Sequence, residues 1–146
     1  MPNAYSRPAL GIDLGGTKIL TALVTRDGRI IIQQSTPTEA KTGPEAVIGR
    51  MLRAADRVIK LGGVKPSDLT GTALAIAGII DTRRGIITTS PNLPGWKDVP
   101  LRDEIARKLG TNTYLVNDAD AAALGENRFG AGRGTKQMVY ITVSTG

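Results

Sequence analysis

The chain has 146 residues, with 19 Lys and Arg against 13 Asp and Glu and with neither His nor Cys. Without Cys there is no disulfide framework or thiolate metal site, and without His acid–base chemistry falls to carboxylates, Lys or Tyr. No apolar run approaches the ~20 residues that span a bilayer, and the first residues lack the pattern of a signal peptide. We therefore expect a cytoplasmic protein with no membrane partner.

The net charge of +6 raises the question of a nucleic-acid partner. The basic residues are spread along the chain, however, and aromatic residues make up 3% of it. Because neither a basic stripe nor stacking side chains are present, we expect no nucleic-acid partner. The pattern indicates a solvated basic surface that favours small anionic molecules.

The chain opens with three short β-rich runs separated by glycine-containing turns. Gly accepts the positive φ angles of tight turns, so Gly15 with Gly16, and Gly28 after Asp27, predict two hairpins. The result is an antiparallel three-stranded meander over residues 9–14, 19–24 and 29–35.

Apolar side chains then recur at three- and four-residue steps, which predicts a helix over residues 43–61. Thr42 and Glu45 have the spacing of a capping box, Pro44 suits the first turn, and Gly62 can end the last turn. The pattern then predicts these elements in chain order: a strand over 72–77, a loop-rich excursion over 82–100, a helix over 101–109, a strand over 113–116, a helix over 119–128, a glycine loop over 130–134 and a strand over 137–143.

The first motif with chemical potential is Asp13-Leu-Gly-Gly-Thr-Lys18. Gly15 and Gly16 would let backbone N–H groups approach phosphate oxygens, Thr17 adds a hydroxyl, and Asp13 can hold a water of hydrated Mg²⁺. A Walker loop is excluded, because the residues that follow are β-rich and not helical. The alternative is an ordinary hairpin turn.

The second motif places Asn117 and Asp118 between a predicted strand and a predicted helix. Open α/β sheets bind ligands at the carboxyl ends of their strands, and without His the Asp118 carboxylate is a leading candidate for the general base. The alternative is that Asp118 caps the helix.

Two further segments are rich in turn residues. In Ser90-Pro-Asn-Leu-Pro-Gly-Trp96, the Asn92 amide could bind sugar hydroxyls, which both donate and accept hydrogen bonds. The alternative is a structural turn with Trp96 at the edge of the core. Gly130-Ala-Gly-Arg-Gly134 follows a helix and precedes a strand, the reverse of a dinucleotide fingerprint, so we expect a loop.

Taken in order, these motifs resemble those of the ROK sugar kinases, most closely the bacterial glucokinases, from Ala9 to the end of the chain. The likeness is carried by Asp13-Leu-Gly-Gly-Thr-Lys18, Ala77-Gly-Ile-Ile-Asp81, Pro91-Asn-Leu-Pro-Gly-Trp96, Asn117-Asp-Ala-Asp-Ala-Ala-Ala-Leu-Gly-Glu126 and Phe129-Gly-Ala-Gly132. Each motif is modest alone, but the ordered set is specific.

The resemblance implies an α/β, ribonuclease-H-like (actin/hexokinase/Hsp70 ATPase) fold with sugar and ATP in a cleft between two lobes. It makes Asp118 the catalytic base, which also contacts the sugar. The other implied sugar contacts are Gly78, Asn92 and Asn117. The implied phosphate and Mg²⁺ site comprises Asp13, Gly15, Gly16, Thr17 and Lys18, together with Thr145 and Gly146 from a second phosphate motif.

The sequence departs from the family pattern at Asp120, where Asn is usual, and at Ser144, where Gly is usual. The end of the chain, Ser144-Thr-Gly146, echoes its opening strand and turn, so we expect the front part of a longer, duplicated protein. On this interpretation residues 1–117 form the small lobe (βββαβαβ), and residues 118–146 supply a linking helix and the first strand of a large lobe. The adenosine site and a structural zinc would lie beyond these residues, which offer no zinc ligands.

The resemblance implies transfer of a phosphoryl group from ATP to the 6-hydroxyl of glucose by an intact protein that is a homodimer or homotetramer. The fragment alone is expected to be inactive. The alternatives are a kinase for another hexose or N-acetylhexosamine, a sugar-responsive transcriptional repressor and a noncatalytic sugar-binding module. Only 12 residues precede Asp13, too few for a helix-turn-helix module, which disfavours the repressor.

Overall fold

The computed structural model describes residues 7–143, which form two β-sheets and three α-helices. The five strands of the larger sheet are β1 (Ala9–Leu14), β2 (Lys18–Val24), β3 (Ile30–Pro37), β4 (Thr72–Ile76) and β8 (Thr113–Asn117). The smaller sheet comprises β5 (Ile79–Asp81), β6 (Ile86–Thr89) and β7 (Lys97–Val99). The helices are α1 (Pro44–Leu61), α2 (Leu101–Leu109) and α3 (Asp118–Phe129). Short 3-10 turns lie at Ala40–Thr42 and Pro66–Asp68.

The larger sheet has the order β3-β2-β1-β4-β8. β1, β2 and β3 pair antiparallel, which confirms the predicted meander, whereas β4 lies parallel to both β1 and β8. The carboxyl ends of three parallel strands therefore meet at one edge of the sheet, the position at which open α/β sheets place ligands.

Helix α1 covers one face of this sheet because its apolar stripe and every second residue of β1 are buried together. Leu10, Ile12 and Leu14 from the strand, with Met51 and Val58 from the helix, are 2% exposed or less. Burying side chains of this size stabilises the fold by about 1.5–3 kcal/mol each.

The predicted end of α1 at Gly62 is confirmed, but the predicted capping box at its start is wrong. Gly43 occupies the N-cap position with no side-chain cap, and Pro44 begins the helix. The Thr42 hydroxyl instead donates to the Glu39 carbonyl oxygen at 2.7 Å, because Thr42 belongs to the preceding 3-10 turn. Pro44 has no N–H to satisfy, which reduces the need for a cap.

The loop-rich excursion expected over residues 82–100 contains two short strands, β6 and β7, that the sequence pattern did not predict. Its strands have only three or four residues, too short for the alternation of apolar side chains to stand out. Trp96 is 2% exposed and packs in the core with Ile87 and Leu93, so the structural role considered for Trp96 is confirmed.

The predicted strand over residues 137–143 is wrong for the described chain. Val139, Ile141 and Val143 are 77–93% exposed. A strand needs a neighbour for its backbone N–H and C=O groups, and no strand among residues 7–143 pairs with this segment. Thr145 and Gly146, predicted to contact phosphate, lie outside the described residues.

The helices within residues 7–143 include none with the length and apolar character to cross a membrane.

Candidate active site at the carboxyl edge of the sheet

The predicted site residues collect at the edge where β1, β4 and β8 end. Leu14 lies opposite Ile76, and Ile76 lies opposite Asn117. The glycine hairpin after β1, Gly78 after β4 and Asp118 after β8 therefore leave the sheet at the same level. The fold thus brings the candidate base to the edge that carries the candidate phosphate hairpin.

The hairpin after β1 is held by backbone and hydroxyl contacts. The Gly15 N–H donates to the Lys18 carbonyl at 3.0 Å, and the Thr38 hydroxyl donates to the Gly15 carbonyl at 2.7 Å. The N–H groups of Gly16 and Thr17 have no acceptor among the described residues. These two donors fit an oxyanion such as a phosphate group.

Gly15 and Gly16 do not adopt positive φ, so the predicted reason for glycine in this turn is wrong. At Gly16 the reason is a close approach, because an added Cβ would lie 2.9 Å from both the Cβ and the carbonyl oxygen of Asn92. Asn92 itself is exposed. The structure thus places a predicted sugar contact against the predicted phosphate hairpin.

Gly78 lies where β4 passes into the smaller sheet, and its backbone needs glycine. Its φ is 145°, and an added Cβ would lie 2.3 Å from the Thr89 carbonyl oxygen. The nearby Ser90 hydroxyl donates to the Ala77 carbonyl at 2.7 Å, which ties the Asn92 loop to the end of β4. The Gly78 carbonyl oxygen in turn accepts from the Asn117 side-chain amide at 3.4 Å.

Asn117 and Asp118 form the start of α3. The Asn117 side-chain oxygen accepts from the Ala119 N–H at 2.9 Å, so Asn117 is the N-cap. Asp118 Oδ1 accepts from the same N–H at 2.9 Å, and Asp118 is exposed to solvent. Since Asn117 occupies the capping position, the Asp118 carboxylate keeps its second oxygen for chemistry at the edge of the sheet.

Asp13 connects the two halves of the site electrostatically. Partial burial raises the pKa of the Asp13 carboxyl, although part of the side chain remains exposed to solvent. The negative charge of Asp118 raises this pKa further, and the ammonium group of Lys18 lowers it. The two carboxylates therefore share one region of the surface.

Two carboxylates in one region suit a hydrated divalent cation, since Mg²⁺ keeps several waters and uses one or two carboxylates. Among residues 7–143 there is no group of three or more acidic, His or Cys side chains that could enclose a metal by itself. The donor set fits a water-mediated Mg²⁺ held jointly with a phosphate ligand, and it does not fit a structural metal.

Thr38 belongs to no motif of the sequence, yet its buried side chain and its backbone hold the hairpin. Its N–H also donates to the Thr17 carbonyl at 2.9 Å. The meander carries the signal for this contact, because the end of β3 pairs with the start of β2 through Lys18 and Pro37. A residue directly after β3 must therefore lie beside the glycine hairpin.

The sequence model that describes the ROK family matches residues 9–146 of this chain. The chain belongs to the ROK family. A glucokinase from Thermotoga maritima is 39% identical over 137 residues, which cover 94% of this chain and 42% of the relative. A xylose repressor from Caldicellulosiruptor bescii is 28% identical over 94% of this chain and 34% of its own length.

A solved structure of a ROK glucokinase from Streptomyces griseus, in complex with glucose and AMPPNP, matches with a TM-score of 0.78 and 31% identity. The match covers 87% of this chain and 38% of that one. The actin-like ATPase fold expected from the ROK resemblance is thereby confirmed. The chain spans less than half the length of each of these relatives.

Proposed function

We propose that the polypeptide carrying this domain phosphorylates glucose at the 6-hydroxyl with ATP as the donor. The observation that carries the proposal is the meeting of Asp118, the Asn92 loop and the glycine hairpin at one edge of the sheet. The similarity to ROK glucokinases supports the same conclusion. The 146 residues alone are proposed to be inactive.

In this proposal Asp118 is the general base. Its carboxylate accepts the proton of the sugar hydroxyl as the hydroxyl oxygen bonds to the γ-phosphorus, while the bond from that phosphorus to the β–γ bridging oxygen breaks and ADP leaves. A positioned base contributes on the order of 10²–10⁴-fold in rate. The N–H of Ala119 binds Asp118 Oδ1, which leaves the other carboxylate oxygen to accept the proton.

The hairpin is the phosphate-binding element. The free N–H groups of Gly16 and Thr17, with the Thr17 hydroxyl and the Lys18 ammonium, donate to the phosphate oxygens. Asp13 would hold a magnesium ion through a water, and the ion would supply positive charge to neutralise the phosphates. Gly15 supports this arrangement through its contacts with Lys18 and Thr38. Thr145 and Gly146 are proposed to supply further phosphate contacts.

Sugar binding is assigned to Gly78, Asn92 and Asn117. One N–H of the Asn117 amide points to the Gly78 carbonyl, which leaves its other N–H for a sugar hydroxyl. Asn92 lies against Gly16, so a sugar held by Asn92 would sit next to the phosphate site. Alignment of this kind can supply on the order of 7–11 kcal/mol of the barrier reduction.

The test compares Asp118→Asn with Asp120→Asn in the full-length polypeptide. Both variants remove one carboxylate from the first turn of α3, but only Asp118 is assigned a chemical role. With a panel of hexoses and N-acetylhexosamines plus ATP, mass spectrometry should detect glucose 6-phosphate as the main product. Asp118→Asn should lower kcat by at least about 10²-fold while glucose binding persists, and Asp120→Asn should stay near wild type.

Other outcomes would identify a different function. Near-normal turnover in Asp118→Asn would refute the assignment of the base. A different preferred sugar would keep the kinase and change its substrate. Sugar binding with no phosphorylated product from the wild-type polypeptide would favour a binding module or a sugar-responsive repressor, a function that the xylose repressor also represents in this family.

A further inference from the structure

A second cleft, of about 740 Å³, lies at the edge of the sheet opposite the candidate active site. It is formed by the β2–β3 hairpin and the loop that follows α3. The hairpin follows Val24, which pairs with Ala9 at the amino end of β1. Helix α3 has 12 residues, so with a rise of 1.5 Å per residue its two ends lie about 18 Å apart. The cleft is therefore separate from the site around Asp118.

The cleft is strongly basic. Arg26 and Arg29 line it from the hairpin, Arg128 and Arg133 line it from the end of α3 and the loop, and Asp27 is the single acidic residue in its lining. The local excess of three positive charges is half of the net charge of the whole chain. The positive charge that looks dispersed along the sequence is thus concentrated by the fold.

The four guanidinium groups are unpaired within residues 7–143, because none forms a salt bridge or a side-chain hydrogen bond there. Some arginines outside the cleft have partners, such as Arg50 with Glu39 and Arg102 with Asp103, whereas others on the surface, such as Arg57, have none among the described residues. Asp27 does not neutralise the cleft arginines by direct contact. Its carboxylate accepts from the Thr25 hydroxyl, which lowers the pKa of Asp27 and keeps it within the turn.

Both walls of the cleft are held in place by contacts of their own. Gly28 has φ 87°, and an added Cβ would lie 2.6 Å from the ring of Phe129, so the ring lies directly against the turn. In the other wall, the Glu126 carboxylate accepts from the Ala131 N–H at 2.9 Å. The Thr135 hydroxyl donates to the Gly132 carbonyl at 2.6 Å. The arginines therefore extend from the β2–β3 hairpin and from the end of α3 with its following loop, and the contact of Phe129 with Gly28 links these two segments.

We propose that this cleft is a second anion site and that it binds a small polyanion with several adjacent phosphate groups. The planar guanidinium groups donate paired hydrogen bonds to phosphate oxygens, and charge-assisted bonds of this kind are the strong ones. An excess of three charges matches an oligophosphate better than a monoanion. Aromatic residues make up 3% of the chain, so few side chains are available to stack on bases, which disfavours a single-stranded nucleic acid.

The test uses the full-length polypeptide with inorganic triphosphate as the probe. Nuclear magnetic resonance of the arginine Nε–H groups should show Arg29, Arg128 and Arg133 shifting on titration, while Arg57 on α1 stays unchanged. Calorimetry should show binding weakened at least about tenfold in the Arg29→Ser/Arg133→Ser double variant. The matched control, Arg57→Ser, should bind within about twofold of wild type.

The proposal is overturned if triphosphate shifts only the amides of Gly16 and Thr17, or if Arg57→Ser loses as much affinity as the double variant. It is also overturned if a single-stranded oligonucleotide binds more tightly than triphosphate through the same arginines. The substituted arginines are exposed, and circular dichroism checks that the variants fold. The wild-type titration decides the matter independently of any variant.

Discussion

The Asp13 carboxylate, at the end of β1, lies within electrostatic reach of the Asp118 carboxylate at the start of α3. Their strands are not direct neighbours, because β4 lies between them. The fold therefore brings two like charges to one edge of the sheet, and their repulsion lowers its stability. Such pairs of carboxylates are common where a cation and phosphate groups bind.

This relationship predicts a change in the pKa of Asp13. Asp118→Asn removes a negative charge, so the pKa of Asp13 should fall toward its ordinary value, whereas Lys18→Met removes a positive charge and should raise the pKa further. The measurement is a titration of the Asp13 carboxyl carbon by nuclear magnetic resonance in metal-free buffer. Asp120→Asn is the matched control, and an equal shift in that variant would contradict the pairing of Asp13 with Asp118.

The same shift fixes the sign of the pH dependence of stability. Because the folded-state pKa of Asp13 is raised, the unfolded chain releases this proton first as the pH increases. The contribution of Asp13 to the free energy of unfolding is thus fully present below its ordinary pKa and is lost as the pH rises through the raised value. The loss should be smaller in Asp118→Asn.

The elements that organise this site follow from local sequence, and the contacts within it do not. The alternation in residues 9–14 and the three- and four-residue steps of α1 are repeated over enough residues to specify a strand and a helix. The strands of the smaller sheet are too short for such a pattern. Residues 137–143 have strand-forming side chains, but a strand forms only where a partner exists.

The contact between Gly16 and Asn92 joins two segments that are far apart in sequence, and no local pattern encodes it. The glycine motif predicts a turn, and positive φ is the reason that the sequence suggests for glycine at these positions. In the structure, φ is not positive at Gly16, and glycine is needed there because the loop that carries Asn92 leaves no room for a side chain. A motif can thus identify the right residue while the physical reason for it depends on the tertiary fold.

Gly16→Ala should therefore destabilise the protein. The added methyl group meets the Cβ and the backbone of Asn92, which cannot rotate away, so the Asn92 loop must shift. We expect a loss of about 1–3 kcal/mol in the free energy of unfolding, measured by denaturant unfolding with Trp96 fluorescence as the probe. The matched control is Gly125→Ala in α3, where an added Cβ meets nothing within 4 Å. That change should stabilise the protein by up to about 1 kcal/mol. A Gly16→Ala variant as stable as wild type would show that the two loops do not touch.

Asn117→Ala separates the structural role of Asn117 from a role in sugar binding. The substitution removes the N-cap of α3 and the hydrogen bond to the Gly78 carbonyl, so the free energy of unfolding should fall by about 1 kcal/mol. Asn117→Ser keeps a capping oxygen and should recover most of that loss, because Ser and Asn cap helices almost equally well.

The matched control for this pair is Asn112→Ala, an exposed position whose side chain makes no hydrogen bond among the described residues and should change stability by less than about 0.5 kcal/mol. Amide hydrogen exchange in the first turn of α3 localises the effect, since loss of the cap should speed exchange there before the sheet opens. If Asn117→Ser regains stability but not glucose affinity in the full-length polypeptide, the amide itself binds the sugar. If Asn117→Ser regains both, Asn117 acts by capping the helix that carries Asp118, and its proposed contact with the sugar is wrong.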